Sequence, residues 1–312
     1  MNNYVGLSFS AENIYYANFL KNEKKFTLDH VGIIGYPFPY NERNFFNDNN
    51  IVSLATLIIN EFHSIQIDNT TVSISIESNL TKPKRVLIPT GLSMEEEKEQ
   101  IKWDLQQSIL DSIDEYTYLV TSNTILSNIY KNILVIAIKK NIIDFYRRLV
   151  GYAKITLENL SINQLSAEIC LHNILSELNG LNILFKITKN LIETTYIWNG
   201  NYYSSCYDRL WGKIKKRNFE DLIIEKITSK IKYIEIFFEE IEHKPVTINK
   251  IFLYGNGIDD PLINMITKNV SIGVELLDPT RNIAISPKMQ ENLQTIKNIT
   301  NYVECIGVVL DL

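Results

Sequence analysis

The chain has 312 residues, a formal net charge of −5 and both signs of charge interspersed. That excludes a stapled mini-protein and a whole-protein field suited to DNA, RNA or an anionic membrane surface. With 45% hydrophobic and 21% charged residues, it also excludes global disorder and predicts about two domains.

The first 35 residues read as three strands, Tyr4 to Phe9, Ile14 to Leu20 and Phe26 to Gly35, an antiparallel meander. After a Pro- and Asn-rich loop, Ile51, Leu54, Leu57, Ile58 and Phe62 recur at helical spacing and predict a helix covering that meander. Val72, Ile74 and Ile76 form a fourth strand, and Lys82-Pro83-Lys84 reads as a break before a short strand, Arg85 to Ile88.

A second unit opens at Thr90. Ser93 followed by Glu96 is a capping box, and the helix it starts carries Ile101, Leu105 and Ile109 on one face. Strands at Tyr116 to Val120 and Asn132 to Ile138 follow, then an amphipathic helix with Ile142, Phe145, Leu149 and Tyr152. Past this insert come a strand near Ile155 to Leu160 and a helix from Ile162 to Leu178. Three more strands, Leu181 to Ile187, Ile192 to Trp198 and Tyr202 to Arg209, repeat the opening meander. A helix from Phe219 to His243, a strand at Lys250 to Tyr254, a Gly255-Asn256-Gly257 turn, a helix from Pro261 to Lys268, a strand at Val274 to Leu277 and a helical tail after Pro287 complete a duplicated α/β chain.

Cys170, Cys206 and Cys305 are odd in number and widely spaced, which fits reduced thiols. The start lacks a signal-peptide pattern, and the run Ile133 to Ile138 is far shorter than the roughly 18 residues that span a bilayer, so the expected address is cytoplasmic. His30, His63, His172 and His243 are isolated, and no metal site is expected. Ser204-Ser205-Cys206 reads as sheet lining, the glutamates at 95 to 99 as helix-start charges, and Lys213, Lys215, Lys216 and Arg217 as a basic, solvated loop. No catalytic residue is assigned.

Four segments, taken together, resemble one family. These are Leu87-Ile88-Pro89-Thr90-Gly91-Leu92 with Gln100-Ile101-Lys102-Trp103-Asp104; Val135-Ile136-Ala137-Ile138-Lys139; Ile251-Phe252-Leu253-Tyr254-Gly255-Asn256-Gly257 with Leu277-Asp278-Pro279; and Ile306-Gly307-Val308. In order and spacing they are similar to the type IV pilus assembly PilM family, relatives of FtsA within the actin-like ATPase superfold. The resemblance implies an actin-like (ribonuclease H-like) duplicated α/β fold. Residues 1–83 and 154–178 would form the first half, 84–153 an inserted 1C-type subdomain, and 179–312 a shortened second half.

Actin-like proteins hold ATP and Mg²⁺ between two hairpin turns carrying Asp-x-Gly. Here Ser8 and Ser10 stand at the first Asp and Gly, followed by Ala11, and Lys186 and Thr188 stand at the second pair. Lysine there either replaces the metal's charge and meets phosphate directly or marks a decayed pocket; decay is the favoured reading, with Gly255, Asn256 and Gly257 a remnant of the adenosine turn. The chain runs from Leu210 to Phe219 with no room for the family's two-helix segment walling the adenine side. The scarcity of glycine, 12 of 312 residues against about 7% in an average chain, falls at these turns.

The resemblance implies a pseudo-ATPase scaffold without cofactor, peripheral at the inner membrane and without a transmembrane segment of its own. Its partner would be the cytoplasmic N-terminal peptide of a PilN-like bitopic membrane protein, with self-association left open and no nucleic acid. Ile101, Trp103 and Leu105 are the candidate partner groove. Two alternatives stand beside it: an ATPase with a rebuilt metal and phosphate site, and an FtsA-like filament former, disfavoured because no amphipathic membrane helix follows Gly307 to Leu312.

Overall fold

Alternating apolar residues near the start of the chain build the meander β1 (Asn2–Phe9), β2 (Asn13–Asn22) and β3 (Lys25–Gly35). The structure, a computed structural model, describes residues 2–22, 25–67, 70–125, 129–175, 178–210, 218–240 and 245–312. Helix α1 (Asp48–Ser64) is capped by the Asn47 side chain, which accepts from the Asn49 N–H. It buries Ile51, Leu54, Ile58 and Phe62 in the core of the first half, while Leu57 stays exposed. Strand β4 (Thr70–Ile76) then returns parallel to β1.

The insert is a three-stranded antiparallel sheet, β5 (Thr81–Pro89), β6 (Tyr116–Ile125) and β7 (Tyr130–Lys139), in the order β5-β7-β6. Helix α2 (Met94–Gln106) covers one face and starts with the expected capping box, Ser93 and Glu96 bonding reciprocally. Pro83 does not break the chain. It lies inside β5, an edge strand paired only with β7, where a missing N–H is tolerated.

Helix α3 (Lys140–Ala153) corrects the expected boundary of the insert. Its Ile142, Phe145, Tyr146 and Leu149 pack into the core of the first half with Phe9 and Phe45, so the insert's own core closes over residues of the three strands and α2. Strand β8 (Thr156–Ile162) joins β4 in parallel, and α4 (Asn163–Ile174) follows.

The second meander is β9 (Leu181–Ile187), β10 (Leu191–Trp198) and β11 (Asn201–Arg209). Helix α5 (Phe219–Glu240), β12 (Ile248–Tyr254), α6 (Asp260–Asn269) and β13 (Val274–Leu276) complete it. Here β12 runs parallel to β9 and β13 to β12. The order β3-β2-β1-β4-β8 in the first sheet is therefore repeated as β11-β10-β9-β12-β13 in the second. Helices α5 and α6 cover one face of the second sheet, and α4 packs on the other.

The last elements correct the expected second half. Strand β14 (Ala284–Ile285) adds to β3, α7 (Pro287–Leu293) packs on β3, and α8 (Val303–Leu310) packs on β1, β2 and β4. The chain thus finishes inside the first half. Glycine is required at two of these contacts: a Cβ on Gly6 would lie 1.8 Å from the Cys305 carbonyl oxygen, and one on Gly307 1.8 Å from that of Ser166.

Candidate functional site

Both hairpin turns at the mouth of the cleft between the halves are closed by their own side chains. Ser10 Oγ donates to the Asn13 carbonyl at 2.8 Å, and Thr188 Oγ1 donates to that of Leu191 at 3.2 Å while accepting from the Leu191 N–H at 3.0 Å. The Ala11 N–H, a donor that a phosphate would need, is taken by Glu77 Oε1 at 3.0 Å. Gly255 has φ +109 and lies against the Ile187 carbonyl, where a Cβ would come within 2.5 Å; the Gly257 N–H donates to that same carbonyl at 2.9 Å. Contact between turns explains these two glycines. Asn256 Nδ2 donates to Glu12 Oε2 at 3.1 Å and Asn190 Nδ2 to Glu12 Oε1 at 3.2 Å, so one carboxylate of the first half ties two turns of the second.

Beneath the turns sits a buried charge cluster. Lys186 Nζ, from β9, is 2.6 Å from Glu304 Oε1 of α8, and Ser8 Oγ, from β1, donates to Glu304 Oε2 at 2.6 Å. Tyr254 OH donates to Glu304 Oε1 at 3.3 Å, and Ser78 Oγ donates to Glu193 Oε2 across the cleft. Lys186, Glu77, Glu193 and Glu304 are each at most 5% exposed. Burial pushes the Glu77 and Glu193 carboxyls up to about 7 against the opposing pull of Lys186, with Glu304 adding to the rise. Burial alone would lower the Lys186 ammonium; the facing carboxylates of Glu304, Glu193 and Glu77 outweigh it and hold it above the ordinary lysine value.

The sequence reading named Ser8 and Lys186 but missed Glu77, Glu193 and Glu304. Two carried a signal: Glu193 interrupts the strand Leu191-Ile192-Glu193-Thr194, and Glu304 is the single charge in the apolar helix Val303 to Leu310.

These residues do not fit Mg²⁺ and ATP. An ammonium stands where the second metal-organising carboxylate would be, and the space between the turns, lined by Ser10, Lys186, Thr188 and Gly255, is about 20 Å³. That is room for about one water, against roughly 300 Å³ or more for a small-molecule site. The basic cluster Lys213, Lys215, Lys216 and Arg217, and most of the shortened stretch after Leu210, lie outside the described residues.

A larger opening, about 640 Å³, runs between the insert and the first half. Its position follows from the apolar run Ile133 to Ile138 of β7. Ile133, Val135 and Ala137 point into the insert core, while Leu134, Ile136 and Ile138 point the other way and line the groove. Leu119 of β6, opposite Ile136, extends that wall and is 63% exposed. Leu160 and Ile162 of β8, Leu165 and Ile169 of α4 and Ile143 of α3 form the facing wall, with Arg147, Glu168 and Asp311 as its charged members. Strands β6 and β8 are both last in their sheets, so each keeps a backbone edge unused by its own sheet, and both pairings are bulged, beside Thr121 and Glu158 respectively. The insert is fixed over the second half by Arg85, whose Nε donates to the Tyr203 carbonyl at 3.0 Å and whose Nη2 donates to that of Tyr202.

Ile101, Trp103 and Leu105, the residues expected to form a partner groove, do not line this opening. Ile101 and Leu105 are buried in the insert core under α2, and Trp103, 61% exposed, stands on the outer face of that helix away from the groove lining.

No family model matches the chain, and no curated protein sequence does. Solved structures do match it. A chain of a PilM–PilN type IV pilus biogenesis complex superposes with a TM-score of 0.80 at 15% identity, covering 98% of this chain and 97% of its own. The cytoplasmic domain of EpsL, an inner membrane component of the type II secretion system of Vibrio cholerae, matches with TM-score 0.47 at 8% identity over 96% of this chain and 98% of its own. A Bacteroides thetaiotaomicron protein with an actin-like ATPase fold gives TM-score 0.47 at 17% identity, covering 94% and 96%. The chain has the duplicated actin-like α/β fold, shared over 98% of its length with a chain of the PilM–PilN complex.

Proposed function

We propose that this chain is a non-catalytic, PilM-like scaffold of a type IV pilus or related secretion machine. In this reading it sits at the cytoplasmic face of an inner membrane and holds the N-terminal peptide of a PilN-like, single-pass partner. The observation that carries the reading is the groove: about 640 Å³, apolar on both walls and bordered by two sheet edges, it suits an extended peptide that adds backbone hydrogen bonds to a strand. The fold shared with a chain of the PilM–PilN complex supports the partner class. Among the described residues no helix is long and apolar enough to cross a membrane, so in this reading the partner supplies the anchor. The absence of turnover is proposed on the 20 Å³ cleft and its lysine.

The test is calorimetric titration with synthetic N-terminal peptides of the single-pass membrane proteins encoded beside this chain. One peptide is expected to bind wild type and to lose binding to Leu119→Arg, which places a charge on an exposed groove position. Failure of every peptide, or equal binding by the variant, would overturn the reading.

A further inference from the structure

We infer that the cleft is a built-in clasp, in which the Lys186 ammonium is the permanent occupant of the space between the turns and joins the two halves without any ligand. The inference stands apart from the groove and its partner.

The groups come from both halves. Lys186 and Glu193 stand on β9 and β10, and Tyr254 ends β12; Ser8, Glu77, Ser78 and Glu304 belong to the first half. Three contacts cross directly between the halves inside the cluster: Lys186 to Glu304, Ser78 to Glu193 and Tyr254 to Glu304. Glu12 adds two more at the rim, to Asn190 and Asn256. A buried ammonium needs facing anions, and a buried carboxylate pair needs a cation or a proton; here each supplies the other.

A ligand has no room here, and the ammonium it would meet already faces a carboxylate. The residual volume is about 20 Å³, and the Lys186 ammonium is already paired at 2.6 Å. Nor does the acidic cluster act as a metal cage, since no group of three or more His, Cys, Asp or Glu among the described residues is arranged to hold an ion. Among the described residues, the titratable groups around Lys186 are Glu77, Glu193 and Glu304, with Tyr254 and Cys305 beside Glu304, Tyr202 beside Glu193, Tyr15 beside the first turn, and Tyr36, Tyr40 and Tyr146 behind Glu77. Burial, with Glu304 close by, pushes the Glu77 and Glu193 carboxyls up to about 7, and their Oε2 and Oε1 atoms have no hydrogen-bond partner among the described residues.

Hydrogen–deuterium exchange of the full-length protein, followed over residues 8–13 and 186–191, tests the clasp. Wild type is expected to show strong protection of both turns, unchanged by millimolar Mg·ATP. The variant Lys186→Met/Glu304→Gln removes the ion pair without stranding a charge, and exchange of both turns is expected to accelerate while the strands of the second sheet stay protected. Added protection by Mg·ATP in wild type, or turns as protected in the variant as in wild type, would overturn the clasp. Should the variant fail to fold, the wild-type comparison with and without Mg·ATP decides.

Discussion

Lys186 and Glu304 lie 118 positions apart and on opposite halves of the molecule, yet their charged atoms meet at 2.6 Å in a space that solvent barely reaches. Such a pair is costly to break from one side. Removing the lysine alone strands a buried carboxylate, and Lys186→Met is expected to lose about 3 kcal/mol or more in urea unfolding. Combining it with Glu304→Gln should return a large part of that loss. A double variant no more stable than the single one would show that the two residues are not energetically coupled.

The protons in this cluster make stability depend on pH. Glu77 and Glu193 titrate near 4.5 when free of the fold and at about 7 inside it, so over that window the folded chain binds more protons than the unfolded one. Their contribution therefore falls as pH rises from about 4.5 to about 7, then levels off. Wild type is expected to melt lower at pH 8 than at pH 6. Glu77→Gln/Glu193→Gln, which mimics the protonated pair, should flatten that difference and melt higher than wild type at pH 8.

Two glycines should respond oppositely to the same change. Gly307→Ala forces a methyl into the Ser166 carbonyl between α8 and α4, and a loss of about 3 kcal/mol is expected from overpacking against backbone. Gly151 lies inside α3 with open space around its Cβ position, so Gly151→Ala should stabilise by about 0.5 to 1 kcal/mol. Chemical denaturation of the two variants side by side checks both signs.

Helix α2 depends on its start. Ser93→Ala removes the side chain that accepts from the Glu96 N–H and is expected to cost about 1 kcal/mol, with the exchange of α2 amides rising before that of β7. Unchanged α2 exchange would assign its stability to Ile101 and Leu105 alone.

Both meanders were legible in the sequence because local alternation sets them: Leu181 to Ile187 and the Ser93 capping box stand where the pattern placed them. What local pattern does not encode is which body an element joins. Helix α3 follows the insert without a break yet buries Phe145 against Phe45, ring centroids 4.4 Å apart, in the first half. The sequence marks Ser8, Ser10, Lys186 and Thr188 at the two turns, but the carboxylates that fill the cleft come from positions 77, 193 and 304, a proximity only the fold creates. The opening beside β7 was hidden for a related reason. Ile101 and Leu105 are apolar because they serve the insert's own core, whereas the groove uses the second face of β7, whose even-numbered residues look no different in the sequence from its odd-numbered ones.

The return of α8 to the first half also orders events during synthesis. Tyr15 packs edge-on to Tyr302, and Ala17 and Phe19 share a cluster with Cys305 and Ile306, so strands made first wait for a helix made almost 300 residues later. Until residues 303–310 have left the ribosome, the nascent first sheet carries one uncovered apolar face. Chaperone occupancy on ribosome-bound chains should therefore persist until residues 303–310 have emerged and drop after that, a delay that a molecule built from two self-contained halves would not show.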